Sequence, residues 1–294
     1  MNATQTNKTN TSRNLVIFAI VVLASGWAGC LLSKQLNLPQ ENPGMLLWLV
    51  APLLAVLVLR TFAGDSWRDA GLRPLFLGNV KWYILSLLVY PVLTLTIVGM
   101  GSMFSWITLQ GFSVSVFLQA FALALLPAFL KNILEEFAWR GYLTPKLATL
   151  NLSDYSLYLI VGLIWGLWHV PYYLYFLDAT AMRSFATINS GLFIPLAIVA
   201  MLAWSIMFAE FRFLTGSVWP AVLLHMMLDA FVNSLILDDS FSIATGKEIW
   251  VHPVVGLFSI ISYTIVGLTL RSIRLSRKTP QLVQSAAPTP LTTA

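Results

Sequence analysis

The stretch from Ser113 to Arg140, SVSVFLQAFALALLPAFLKNILEEFAWR, decides how the rest of this chain is interpreted. It begins as an apolar run that can cross a bilayer as a helix, for which about 20 residues are needed. It ends in two adjacent glutamates and an arginine, in a protein that is only 10% charged and 58% hydrophobic. The role of two carboxylates at the end of a membrane helix should therefore indicate the function of the protein.

The whole chain has the composition of a membrane protein. Eight apolar runs of suitable length lie near residues 15–33, 45–63, 80–101, 113–134, 157–177, 190–209, 217–237 and 252–271. They predict an all-α polytopic helix bundle with about eight transmembrane helices. We expect one integral-membrane domain over residues 1–277 and a disordered tail over 278–294, which is rich in Pro, Ser, Thr and Ala.

The positions of the basic residues predict the orientation of the bundle. With the N-terminus in the cytoplasm, 14 of the 17 lysines and arginines fall in cytoplasmic segments, Lys131 and Arg140 among them. An even number of spans then places the C-terminus on the same side. Topology thus accounts for the net charge of +5, and no basic patch interleaved with aromatic residues indicates nucleic-acid binding.

Ionisable residues at membrane depth usually face a protein interior and serve a function. In EEFAWR, Glu136 and Arg140 share a helix face in the favourable order for an ion pair. Glu135 is rotated about 100° away and has no evident cation. A partly desolvated carboxylate beside another one binds a proton more readily, which suits a general base near neutral pH.

Two later spans carry the other polar residues of this kind. In GLIWGLWHVPYY, His169 follows Trp165 by one helical turn; alone, this histidine is better explained by a hydrogen bond to a nearby carbonyl than by a function. In GSVWPAVLLHMMLDAFVN, His225, Asp229 and Asn233 form a polar stripe at a spacing of four. A single polar residue can join two helices, but three in register favour a functional site.

The three segments predict one site, in the cytoplasmic half of the bundle, if the fourth helix continues past Lys131. A base carboxylate with two imidazoles suits hydrolysis: the glutamate takes a proton from water, one histidine positions that water, and the remaining groups stabilise an oxyanion. No serine or cysteine in this set lies beside a base. Zinc is a competing use of the same ligands, but the compact HExxH pattern is absent, so we expect no metal or other cofactor.

Three motifs, in this order, resemble those of the CPBP family of intramembrane endopeptidases, also called the CAAX-protease or Abi family. EEFAWR is similar to its EExxxR motif, WGLWH to its FxxxH motif, and HMMLD to its HxxxN motif, whose last position also accepts Asp. The motif region covers about residues 120–235. The resemblance implies a glutamate-dependent protease that cuts a membrane-associated substrate, for which a prenylated CAAX-type protein is one candidate. A chain without eukaryotic hallmarks is expected in a prokaryotic cell membrane.

The resemblance also implies roles for individual residues. Glu135 activates water with the assistance of His169, His225 and Asp229 form the oxyanion hole, and Glu136 and Arg140 support the site. An ionised Asp229 would repel an oxyanion, so it is either protonated or orients His225, while Asn233 could supply the missing amide. Two other functions are open, a non-catalytic immunity or scaffold protein that binds peptides and a proton-coupled transporter; the sequence gives no indication of the oligomeric state.

Overall fold

The structure of the protein, a computed structural model, describes residues 3–37, 43–177, 188–238 and 240–285, with side chains described between residues 10 and 277. These ranges contain nine helices: α1 Ala3–Gln35, α2 Pro43–Phe62, α3 Val80–Met103, α4 Val114–Ala148, α5 Asp154–Phe176, α6 Ser190–Thr215, α7 Trp219–Ile236, α8 Glu248–Val251 and α9 Leu257–Ser285. All except α8 are long and apolar enough to cross a membrane. The prediction of an all-α bundle with eight spans is confirmed.

The fourth span is longer than its apolar run. The predicted run ends near residue 134, whereas α4 continues to Ala148. Its first half exposes leucines to the surroundings of the bundle, such as Leu123 at 78%, while Glu135, Glu136 and Arg140 are buried. The condition set by the sequence, that this helix continues past Lys131, is therefore met, and α4 carries its carboxylates into the interior.

Each motif segment lies at or beside a π-helical turn. These turns cover Trp139–Leu143 in α4, Tyr172–Phe176 at the end of α5 and Leu228–Val232 in α7. A π turn widens the helix by one residue and occurs often at functional sites. Two carbonyls of the turn in α4 are bonded from other elements: Arg212 Nε lies 3.1 Å from the oxygen of Arg140, and Arg60 Nη2 lies 2.5 Å from that of Gly141.

The loop between α2 and α3 packs against this turn of α4 through a polar network. Asp65 accepts hydrogen bonds from Tyr142 at 2.6 Å and from Asn14 of α1 at 3.0 Å. Asp69 is ion-paired with Arg60 at 2.7 Å and with Lys146 at 3.0 Å. Burial alone would raise the pKa of Asp69, but the hydrogen bonds and charges of Arg60 and Lys146 lower it below its ordinary value.

Glu210 and Arg212, two oppositely charged residues near the end of α6, do not pair with each other. Arg212 binds the carbonyls of Arg140 and Asp69. Glu210 accepts from Tyr158 and from Arg274, whose Nε lies 2.6 Å away. The two side chains point to different neighbours because positions two apart in a helix do not share a face.

Two short strands, which a purely helical interpretation did not predict, join the loops at the other end of the bundle. β1 Ile107–Leu109 pairs with β2 Phe241–Ile243 in antiparallel register, with Thr108 opposite Ser242. The last helix runs to Ser285, past the predicted start of the tail at Lys278. Residues 286–294 lie outside the described ranges, so a disordered tail and the cytoplasmic position of both termini stay predictions.

Candidate active site

The polar residues of α5 and α7 meet at one cavity inside the bundle. Its volume is about 240 Å³, and its wall is formed by residues of α2, α4, α5, α6 and α7. The wall contains five of the residues singled out in the sequence, namely Trp165, His169, His225, Asp229 and Asn233. Around them are mainly aromatic and apolar side chains, among them Trp48, Tyr172, Tyr173 and Trp204. The structure thus brings the second and third motifs to one place.

Glu136 joins α4 to α7. Its Oε1 lies 3.1 Å from Nη1 of Arg140, which is the ion pair expected from their spacing, and 2.8 Å from Nδ1 of His225. Both Glu136 and Arg140 are fully buried. The guanidinium group lies 4.1 Å from the ring centroid of Trp165 and 4.3 Å from that of Phe208, so two aromatic faces further stabilise its charge.

Glu135 is held on both of its oxygens. Its Oε2 accepts long hydrogen bonds from the indole nitrogens of Trp165, at 3.3 Å, and Trp139, at 3.4 Å. Its Oε1 lies 3.1 Å from Nζ of Lys131. The expectation that Glu135 has no cation is therefore wrong. Glu135 is only 1% exposed and is not among the residues that line the cavity, whereas its partner Lys131 is.

The sequence analysis places Lys131 in a cytoplasmic segment and predicts no contact between it and the site residues. The signal was present, since Lys131 precedes Glu135 by four residues. That order is the weaker one on an isolated helix, where a glutamate preceding a lysine is more favourable. The pair forms here because the lysine also meets an acid from a different helix.

His169 both bonds a carbonyl and faces the cavity. Its Nδ1 lies 2.9 Å from the backbone oxygen of Trp165. Because a carbonyl only accepts, Nδ1 carries the proton and Nε2 of the neutral ring is left as an acceptor. Tyr173 stacks on the imidazole with ring centroids 5.8 Å apart, which fixes the plane of the ring. The hydrogen bond to a carbonyl and a functional role therefore use different nitrogens of the same ring, Nδ1 and Nε2.

Asp229 does not orient His225, contrary to one of the expectations, because Glu136 does so. The carboxylate of Asp229 lies 2.9 Å from Nζ of Lys131 and accepts a hydrogen bond of 2.8 Å from the amide of Asn132. Its side chain is 17% exposed. Asn132, fully buried one position after Lys131, is a second residue that the sequence analysis missed.

A second cleft, of about 720 Å³, adjoins the cavity between the first half of α4 and the end of α7. The two spaces share three wall residues: Asp229, Asn233 and Leu237. On the α4 side the cleft is lined by small and apolar side chains, Val116, Ala120 and Ala124. The site therefore lies beside a largely apolar groove between two membrane helices.

A zinc site finds no ligand set here. Within the described ranges, no group of three or more histidine, cysteine, aspartate or glutamate side chains is placed to hold a metal ion. Structural and catalytic zinc sites ordinarily take three or four such ligands. The carboxylates and imidazoles instead bond to each other, to Lys131, to Arg140 and to indole groups.

This fold and site define a class of protein, namely a multi-pass membrane helix bundle with buried acid and imidazole groups around an interior cavity. Residues 115–231 match the sequence model of the family described as "Rce1-like: Type II CAAX prenyl endopeptidase Rce1-like". This match confirms the resemblance drawn from the three motifs, and at the family level it supports a CAAX-type intramembrane endopeptidase in a lipid bilayer. It covers less than half of the 294 residues. No curated protein matches the chain.

Proposed function

We propose that this protein is an intramembrane endopeptidase in which Glu135 activates water to hydrolyse a peptide bond of a membrane-associated substrate. One observation carries the proposal. Glu135 lies on α4 next to an ion-paired Glu136, and the cavity beside it has an imidazole from α5 and another from α7 in its wall. Hydrolysis needs a base, an orienting group and a donor to the oxyanion, and this arrangement contains a candidate for each.

The base side of the reaction uses Glu135 and His169. Glu135 removes one proton from water, and the resulting hydroxide attacks the carbonyl carbon. His169 has Nε2 free to accept the second hydrogen of that water, because Nδ1 donates to Trp165. The protonated Glu135 then gives its proton to the leaving nitrogen, so the glutamate returns to its starting state.

The oxyanion side uses His225. Its Nδ1 donates to Glu136. In the imidazolium form Nε2 also carries a proton, so the ring is a donor toward the cavity while Glu136 balances its charge. The acids Glu135, Glu136 and Asp229 are then matched by Lys131, Arg140 and protonated His225. A site without net charge can accept the negative charge that moves from Glu135 to the substrate oxygen. No step passes through a metal ion.

The substrate class follows from the walls of the two spaces. The aromatic cavity and the largely apolar groove beside it favour a peptide carried by a hydrophobic segment or a lipid group. A prenylated CAAX-type peptide has this chemistry, and so does an unmodified membrane-anchored peptide. Both kinds of peptide should therefore be tested as substrates.

The test is cleavage by purified protein of a prenylated CAAX peptide and of a panel of membrane-anchored peptides, followed by mass spectrometry. We expect Glu135→Gln to lower kcat at least about 1000-fold, because an amide cannot take the proton, while the melting temperature changes little. Asp154→Asn is the matched control, since it also replaces a carboxylate by an amide. Asp154 lies at the start of α5, at the opposite end from His169, and is ion-paired with Arg274. Wild-type kcat in Glu135→Gln would refute the mechanism.

The same purified protein distinguishes the protease from the two alternative functions. If the protein is a peptide-binding immunity or scaffold protein, Glu135→Gln should keep the biological phenotype. If it is a proton-coupled transporter, it should give proton flux in vesicles without cleavage. Activity in the presence of a strong chelator is expected. Loss of activity on chelation, restored by zinc, would favour the metal-dependent alternative.

A further inference from the structure

In the proposed mechanism Lys131 only balances charge, although it lies in the wall of the cavity. Its Nζ lies 3.1 Å from Oε1 of Glu135 and 2.9 Å from Oδ2 of Asp229, so one ammonium group bridges the proposed base and the last motif position. Its side chain is 35% exposed and forms part of the cavity wall. A purely structural ion pair would not need to face the space in which a substrate would bind.

The charge at position 229 poses a problem that Lys131 solves. An amide at the last position of the HxxxN motif can donate to an oxyanion, whereas the aspartate that this chain has there would repel it when ionised. The ammonium group beside Asp229 cancels that charge and has three N–H donors. Lys131 and Asp229 together therefore offer what an asparagine offers, a neutral unit with a donor.

We infer that Lys131 is a catalytic residue that donates to the oxyanion and that Asp229 is the positioning residue that holds it there. This inference rests on the proposed function and assigns the oxyanion role at this end of the site to a different side chain. Asn132, whose amide bonds Asp229 at 2.8 Å, fixes the carboxylate in turn.

The movement of charge during the reaction gives Lys131 a reason to change partners. Before attack, the negative charge is on Glu135, and the ammonium lies beside it. When Glu135 takes a proton from water it becomes neutral, and the charge reappears on the carbonyl oxygen of the substrate. The ammonium then follows the charge while keeping its contact with Asp229, so no net charge is created in a membrane interior, where it would be costly.

The test uses kcat and KM on a peptide that the wild-type protein cleaves. We expect Lys131→Met to lower kcat about 100-fold with KM changed less than about threefold, as for loss of one oxyanion donor. Lys131→Arg keeps a charged donor, so it should retain at least about a tenth of the wild-type kcat. Lys81→Met is the control, because Lys81 is an exposed lysine whose ammonium lies over the ring of Trp82.

The decisive result is that Asp229→Asn changes kcat in opposite directions in the two backgrounds. In the wild-type background Asp229→Asn should lower kcat about tenfold, because Lys131 loses the partner that holds it. In the Lys131→Met background the same change should raise kcat about tenfold, because it removes an unbalanced carboxylate and supplies an amide donor. The double variant and Lys131→Arg preserve the net charge of the site, so they keep the test decisive if Lys131→Met does not fold.

The outcomes separate the two proposals. If Glu135→Gln is inactive while Lys131→Met keeps wild-type kcat, or while Asp229→Asn gives no gain in the Lys131→Met background, the inference about Lys131 fails and the protease stands. If the wild-type protein cleaves no peptide in the panel, both fail. A lower kcat in Lys131→Met that Asp229→Asn partly restores supports the pair.

Discussion

Replacement of Glu136 by glutamine should affect folding much more than the same replacement of Glu135. Glu136 and Arg140 are both fully buried, and the carboxylate also accepts from Nδ1 of His225. The amide leaves the guanidinium charge in the interior without its counter-ion, and its NH2 group cannot accept from His225. Breaking a buried pair by removing one partner costs about 3–5 kcal/mol.

The expected fall in melting temperature follows from that cost. The glutamine keeps one acceptor oxygen, so we take the lower end of the range, about 3 kcal/mol. At about 2–4 °C per kcal/mol for large domains, this corresponds to a fall of about 6–12 °C. Glu135→Gln weakens a contact with a lysine that is 35% exposed and that keeps Asp229 as a partner. Its cost should be about 1 kcal/mol or less, a fall of at most about 4 °C.

The assay is thermal unfolding of detergent-purified protein, followed by tryptophan fluorescence, with the same preparations tested for cleavage. Arg140→Met and the double variant complete a cycle, in which the double variant should lose less than the sum of the single variants. Both glutamate variants should be inactive, and only Glu136→Gln should unfold early. Equal melting temperatures for the two variants would refute the assignment of Glu136 to support and Glu135 to chemistry.

Two further predictions concern the surroundings of the site. Trp165→Phe removes a donor that lies 3.3 Å from Oε2 of Glu135, and it should lower kcat about three- to tenfold, the effect of one hydrogen bond. Trp168→Phe is the control, since Trp168 is equally buried but stacks on Trp48. An equal loss of kcat in the two variants would show that only the size of the side chain matters. Asp69 has a lowered pKa in the folded protein, so it should stabilise the fold above the ordinary carboxyl pKa of about 4 and lose that contribution as the pH falls through its folded value. Unfolding of Asp69→Asn and wild type across this range should therefore differ most near neutral pH and converge in acid; a constant difference would contradict the assignment.

Local pattern predicted those parts of the site that depend on one helix. The pairing of Glu136 with Arg140 follows from a spacing of four, and the shared position of Trp165 and His169 follows from the same rule. The contacts of Asn132 with Asp229, of His225 with Glu136 and of Trp165 with Glu135 join residues 97, 89 and 30 positions apart. Spacing along the chain contains no information about such pairs.

The π turns are a further feature that local pattern does not predict. They lie at Trp139–Leu143 in α4 and at Leu228–Val232 in α7, so they include Arg140 and Asp229. A regular spacing of four cannot predict where such a turn falls. The partner of Asp229 is Lys131 of another helix, so its identity depended on packing, whereas a place for Asp229 at the site was expected from the polar stripe of α7.

The amino-acid sequence alone determined that this protein is a membrane helix bundle with eight spans, because apolar length and the energy of burying charge in lipid leave few alternatives. Three short motifs in a fixed order also indicated the family that it resembles, whose sequence model matches residues 115–231. Only the tertiary structure decided which cation meets which acid. Lys131 lies between Glu135 and Asp229 because two helices approach there, and a charge inside a membrane protein is stabilised by whichever opposite charge the packing brings within about 3 Å.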